Sequence, residues 1–250
     1  MLTSRRDAIA AIAAALAVSA CDGTEREPGT LVIASSPTGV PFSFVDPMTN
    51  ELTGSMVDTA LAVCRLMGRK PKLVITPFPA LIPSLVMEKV DLVAAAILRT
   101  PEREQVVDFS DPVYAYAGAL VVRERDNRRY PDLHALAGRR VGAQAGTRFV
   151  AQLEQAGASV TTYDGLSDIL RDIDNRRIEF GYGDEPILRY QLRVGPRREV
   201  RIAEGFTPPA REKLCLVVRK GDPDLAQINS AIASMRARIL PAIAKQWGLG

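Results

Sequence analysis

Apolar and polar positions in this chain follow two rhythms. Residues 31–35 (LVIAS) and 72–76 (KLVIT) are short β-branched runs with the length and composition of strands. Between them Val57, Ala60, Leu61, Cys64 and Met67 recur at the spacing of one helix face, and Gly68 stands where such a helix ends. Leu81, Leu85 and Val86 suggest a second helix, with Pro83 tolerated in its first turn. Residues 90–96, apolar but for Asp91, read as a strand covered on both faces. Residues 30–97 therefore read as β-α-β-α-β around a parallel sheet.

A second set follows. Strands are expected at 118–123 (GALVVR), 140–143 (RVGA), 159–163 and 178–182 (IEFGY), with a short turn or helix at 133–136. Helices are expected over 147–156 and 167–175. Thr147 stands where a hydroxyl caps a helix by accepting from an amide two or three residues on. Residues 214–219 (LCLVVR) read as one late strand. Asp222 and Pro223 open a helix reaching about Arg236, and 240–247 form a terminal helix. No repeat of fixed period is present. The pattern gives two similar α/β halves and a tail.

Composition narrows the classes. The chain has 250 residues, 47% of them apolar, enough for one large core or two small ones. Net charge is +3, and the arginine pairs at 128–129, 139–140, 176–177 and 197–198 fall between predicted elements, so no basic stripe for nucleic acid forms. A single histidine, His134, reads as a surface residue near a helix start, and no metal site is expected. Of three cysteines, Cys64 and Cys215 sit in apolar patterns and read as two buried thiols.

Residues 1–21 form a signal segment: Arg5 and Arg6, a short run of small apolar residues from Ala8 to Ala20, then Val18-Ser19-Ala20-Cys21, which resembles a lipobox. Ser4-Arg5-Arg6 also resembles a twin-arginine signal. Cys21 would carry the lipid, and Asp22 after it resembles an inner-membrane retention signal. Residues 22–29 read as a tether.

The most informative stretch is 91–114, DLVAAAILRTPEREQVVDFSDPVY, which places Arg103 in a polar turn just past an apolar strand. A guanidinium there can give a carboxylate two parallel, charge-assisted hydrogen bonds. Other motifs stand in order around it. They are Pro41-Phe42-Ser43-Phe44, a helix entrance at Gly54 and Asp58, and Phe78 before Leu81-Ile82-Pro83-Ser84-Leu85. Lys89-Val90-Asp91, Thr100-Pro101-Glu102-Arg103, Asp108-Phe109-Ser110-Asp111-Pro112, the glycines from Gly138 to Thr147 and the turn from Val218 to Pro223 complete the series.

This order resembles the bacterial extracellular solute-binding proteins of family 3, the receptors of polar amino-acid ABC importers. The resemblance covers the chain from about residue 30 onward. It implies an α/β, two-lobed periplasmic-binding-protein fold (type II) with two hinge strands and a ligand cleft between lobes. Lobe 1 would be 30–114 plus 212–250, lobe 2 119–207, and the hinge 115–118 and 208–211. It implies a monomeric receptor, not an enzyme, without cofactor. The receptor would hand a small carboxylate-bearing solute (a polar or acidic amino acid, or an organic acid) to an ABC permease in the inner membrane. It would work in the periplasm, anchored through lipidated Cys21. The alternatives are a dehydratase-like periplasmic enzyme on the same fold, with Glu185 or Glu204 as acid, or an orphan ligand-sensing lipoprotein.

The resemblance also assigns the site. Arg103 would bind the carboxylate, with backbone groups at Leu98, Ala96 and the helix start at Thr147 and Arg148. Asp184 would accept from an ammonium, and Phe78 would face the ligand stem. Three features depart from the family pattern. Leu98 replaces a hydroxyl residue, Arg148 replaces a second threonine, and Gly39 and Val40 replace an aromatic. The carboxylate half is intact and the ammonium half weakened. The expected ligand is thus an acidic amino acid whose second carboxylate meets Arg148, or an organic acid without an amine.

Overall fold

Alternating side chains in the first strand decide the layering of the first sheet. The fold is that of a computed structural model, which describes residues 27–249. The signal segment with Cys21, and most of the expected tether, lie outside the described residues. The first strands are β1 (Thr30–Ser35), β2 (Thr38–Gly39), β3 (Ser43–Val45) and β4 (Leu52–Thr53), followed by helix α1 (Ser55–Leu66) and β5 (Lys70–Ile75). A 3-10 turn over Phe78–Ala80 leads into α2 (Leu81–Val86), then β6 (Leu92–Val93), the short α3 (Pro101–Glu104) and β7 (Val107–Phe109). The long β8 (Tyr114–Arg123) and β9 (Arg140–Gln144) precede α4 (Arg148–Gln155), β10 (Ser159–Tyr163), α5 (Leu166–Asp174), β11 (Phe180–Asp184) and α6 (Glu185–Val194). The chain closes with β12 (Val200–Ile202), β13 (Arg211–Leu214), β14 (Val217–Arg219), α7 (Leu225–Met235) and α8 (Ile239–Gln246).

The first sheet has the order β5-β1-β6-β14-β7, with β1 and β6 parallel and β14 antiparallel to both of its neighbours. Leu31 and Ile33 point into a cluster with Met56, Ala60, Val63 and Cys64 of α1, and with Ile228 and Ile232 of α7. Val32 and Ala34 point the other way, against Leu81 and Leu85 of α2 and against Cys215. The period of two thus puts a helix layer on each face of this sheet. It also puts Cys64 and Cys215 on opposite faces. Both are buried and free, and burial pushes each thiol up to about 11.

The second sheet has the order β10-β9-β11-β8-β12, parallel through β10, β9 and β11 and antiparallel where β8 joins. A helix start predicted at Thr147 is present as α4, but the expected cap bond is not. The Thr147 hydroxyl donates to the Gln144 carbonyl at 2.7 Å instead of accepting from an amide.

Two strands cross between the sheets. Tyr114 to Ala117, the first part of β8, pair antiparallel with Arg211–Leu214, and the rest of β8 runs on into the second sheet. The predicted single strand over 214–219 is therefore divided. Its first residue ends the crossing β13, and β14 belongs to the first sheet. The break falls at Cys215 and Leu216, both fully buried, where the chain passes from the crossing ladder to the sheet. The apolar run 90–96 also forms less ladder than expected, since only Leu92–Val93 is strand, although residues 92–98 are all buried. These two sheets with their crossing strands are the two lobes of the type II periplasmic-binding-protein fold.

Candidate functional site

The ends of β6 and β9 and the crossing strands bring four of the sequence-expected residues, Leu98, Arg103, Arg148 and Asp184, toward one place. Thr100 caps α3 by accepting from the Arg103 amide, and this short helix sets the Arg103 side chain. Its guanidinium donates to the carbonyl of Leu98 in the first sheet's connection and, at 2.7 Å, to the carbonyl of Gly146 at the end of β9. Leu98 thus offers Arg103 its carbonyl rather than an amide. Arg148, the first residue of α4, reaches the opposite way. Its Nη1 donates to the Arg99 carbonyl at 3.3 Å and to Glu212 Oε2 at 2.6 Å. Each half therefore sends an arginine to a backbone carbonyl of the other. Gln144 adds a third link, donating to Thr38 Oγ1 at 3.1 Å.

Close approach at this junction requires a glycine. Gly146 has φ +74, and a side chain on it would press against Pro79 at 3.3 Å. Phe78, beside Pro79, is half-buried and packs on the α2 side of the first sheet. Ala96 is buried in the main core.

Asp184 ends β11 and stands before α6, but its carboxylate makes no helix cap. It accepts a short hydrogen bond from the Tyr116 hydroxyl of the crossing strand. Burial lifts the Asp184 carboxyl to about 6, against the pull of the Tyr116 hydrogen bond and the Arg103 charge. Burial also raises Tyr116 well above the ordinary phenol range, reinforced by the charges of Asp184 and Glu212. Desolvation lowers the Arg103 pKa. Tyr116 and Asp184 oppose that change, and Arg148 adds to it. Arg103, Arg148, Asp184, Glu212 and Tyr116 thus form one electrostatic cluster with two cations and two carboxylates.

A cavity of about 1050 Å³ lies beside the crossing strands and meets the cluster at Tyr116, lined also by Tyr114, Glu185, Arg189, Arg211 and Trp247. Arg103, Arg148 and Asp184 are not on its walls. Among the described residues no group of three or more His, Cys, Asp or Glu could hold a metal ion, and no helix is long and apolar enough to cross a membrane.

The model of the bacterial extracellular solute-binding proteins, family 3, matches residues 31–250. The chain belongs to that family. The Escherichia coli K12 protein named ABC transporter arginine-binding protein 1 is 29% identical, the match covering 85% of this chain and 88% of that one. The histidine-binding periplasmic protein of Salmonella typhimurium LT2 is 31% identical, covering 84% of each. Among solved structures, an ancestral arginine-binding protein bound to glutamine has a TM-score of 0.81 and 29% identity, covering 90% of this chain and all of that one.

Two residues of this solute-binding protein's cluster escaped the sequence reading. Tyr116 lies in the apolar run YAYAGAL and looks like core. Glu212 lies in REKL, where the alternation of β13 turns it inward while Arg211 and Lys213 are exposed. The helix α6 was also missed. Its signals were present: Pro186 in the first turn, acidic Glu185 before it, and Ile187 and Leu188 on the buried face.

Proposed function

We propose that this solute-binding protein captures a free amino acid between its two sheets and delivers it to an ABC permease. The α-carboxylate sits on Arg103 and the α-ammonium at Asp184. The observation that carries this reading is the placement of the Arg103 guanidinium, partly buried and, among the described residues, hydrogen-bonded only to neutral carbonyl oxygens, Leu98 in one half and Gly146 in the other. Exchanging a neutral acceptor for a carboxylate strengthens such a bond roughly twofold and makes closure depend on ligand. The amino-acid class is supported by the names of the relatives, which bind arginine and histidine, and of the ancestral protein with glutamine. The Tyr116–Asp184 pair supplies the acceptor that Leu98 cannot. In this reading the protein is a monomeric receptor rather than an enzyme. It works in the periplasm and is anchored by a lipid on Cys21.

A thermal-shift screen of amino acids and organic acids tests this. A ligand at about 1,000 times its Kd stabilises by about 4 kcal/mol. At least one amino acid should raise the midpoint of the wild type and leave Arg103→Ala unmoved. A shift of equal size in Arg103→Ala would defeat the assignment.

A further inference from the structure

Of the two arginines at the junction, one is already matched by the protein's own charge. The Arg148–Glu212 ion pair joins α4 to β13, with side chains 26% and 11% exposed. Glu212 is the register partner of Tyr116, whose hydroxyl holds Asp184. The second oxygen of Glu212, Oε1, is fully buried and has no hydrogen-bond partner among the described residues. Gln152, one turn along α4 from Arg148, hydrogen-bonds the Glu212 carboxylate and favours its charged form, yet its own Oε1 is buried without a partner among the described residues. Among the described residues two buried acceptor oxygens, Glu212 Oε1 and Gln152 Oε1, are thus left without a well-aligned donor.

We propose that Glu212 is a specificity-determining residue of this binding site. Its Oε2 occupies Arg148 and so denies that cation to a second ligand carboxylate, and its Oε1 receives an N–H donor from the far end of the solute. The inference rests on the receptor reading above and names the solute class. Arg103 and Asp184 answer the charges of an α-amino acid, and Arg148 and Glu212 cancel each other. A dicarboxylate would have to take Arg148 from Glu212 and strand a buried carboxylate. A side-chain amide, amine or guanidine instead supplies the missing donor. The second carboxylate expected at Arg148 from the sequence is thus provided from within, by Glu212.

Calorimetric titration with L-glutamine, L-arginine and L-glutamate tests this on the wild type, Glu212→Gln and the double variant Arg148→Met/Glu212→Gln. The wild type should bind glutamine or arginine at least tenfold more tightly than glutamate. Glu212→Gln keeps the side-chain volume and frees Arg148, so glutamate should gain at least tenfold relative to glutamine. The double variant, with no free guanidinium, should lose that gain. If Glu212→Gln does not fold, Arg148→Met alone serves: it leaves Glu212 unpaired and should widen the preference for arginine over glutamate. Glutamate preferred by the wild type, or ratios unchanged in the folded variants, would overturn the role of Glu212 alone. Binding of none of the three by the wild type would overturn the solute class proposed here, while the thermal-shift screen decides the receptor reading separately.

Discussion

Asp184 and Arg103 show how burial shifts ordinary side chains, the pair to which the proposed function assigns the ligand's two charges. With its carboxyl lifted to about 6, Asp184 in the free protein carries a proton below that pH. A ligand ammonium needs the ionised form. Amino-acid affinity should therefore fall as pH drops from 7.5 through 6 to 5, by up to about tenfold per unit below 6. Asp184→Asn should flatten that profile, and an amine-free organic acid should not show it. Glu212 is shifted the same way by burial, and the Asp184→Asn control separates the two. Stability of the ligand-free protein has the opposite sign. The folded pKa lies above the unfolded value near 3.9, so this stabilising contribution is present below about pH 4 and lost as pH rises through 6. At this scale Arg103 was legible because a strand end and a Thr-Pro-Glu-Arg turn announce it. Glu212 was not, because a charged residue in an alternating strand reads as surface until the partner sheet is known.

Elements explain what the pattern misjudged. Gly118 pairs with Asp184 across β8 and β11, and a Cβ built on it would run into the Tyr182 ring and hydroxyl. Tyr182 cannot yield, because Phe149 and Phe206 meet it edge-on at 5.1 and 5.7 Å and it is fully buried. Gly118→Ala should therefore cost about 1–3 kcal/mol of stability, read from the denaturant midpoint. An unchanged midpoint would show that the ring moves aside. The helices α1, α4, α5 and α7 were expected to within a few residues, α1 from its apolar spacing and α4 and α7 from the residues that open them. The division of 214–219 into β13 and β14 was not, because both pieces are apolar and only their pairing with different sheets separates them. The same two-faced sheet makes a chemical prediction. Cys64 and Cys215 should both resist an alkylating reagent in the folded protein and react only on denaturation, with no bridge between them on oxidation.

At the scale of the whole molecule, the order of motifs was enough to place the chain in its family, because spacing along the sequence preserves the alternation of sheets and crossings. The distribution of charge between the halves was not legible. It depends on which groups the crossing strands bring face to face: Arg103 with Gly146, Arg148 with Arg99 and Glu212, and Tyr116 with Asp184. Arg103 with Gly146, Arg148 with Arg99 and Gln144 with Thr38 link the halves through polar groups, and in the proposed reading a ligand exchanges for such contacts, so that closure and capture are one event. The central claim is that the ligand's carboxylate sits on Arg103. The direct measurement is a calorimetric titration with the best-stabilising amino acid and with the amine that remains when its carboxylate is removed, on wild type and Arg103→Ala. The account predicts binding of the acid alone, weakened in Arg103→Ala by about 2–5 kcal/mol, roughly 30-fold or more. Equal binding of acid and amine, or an undiminished affinity in Arg103→Ala, would contradict it.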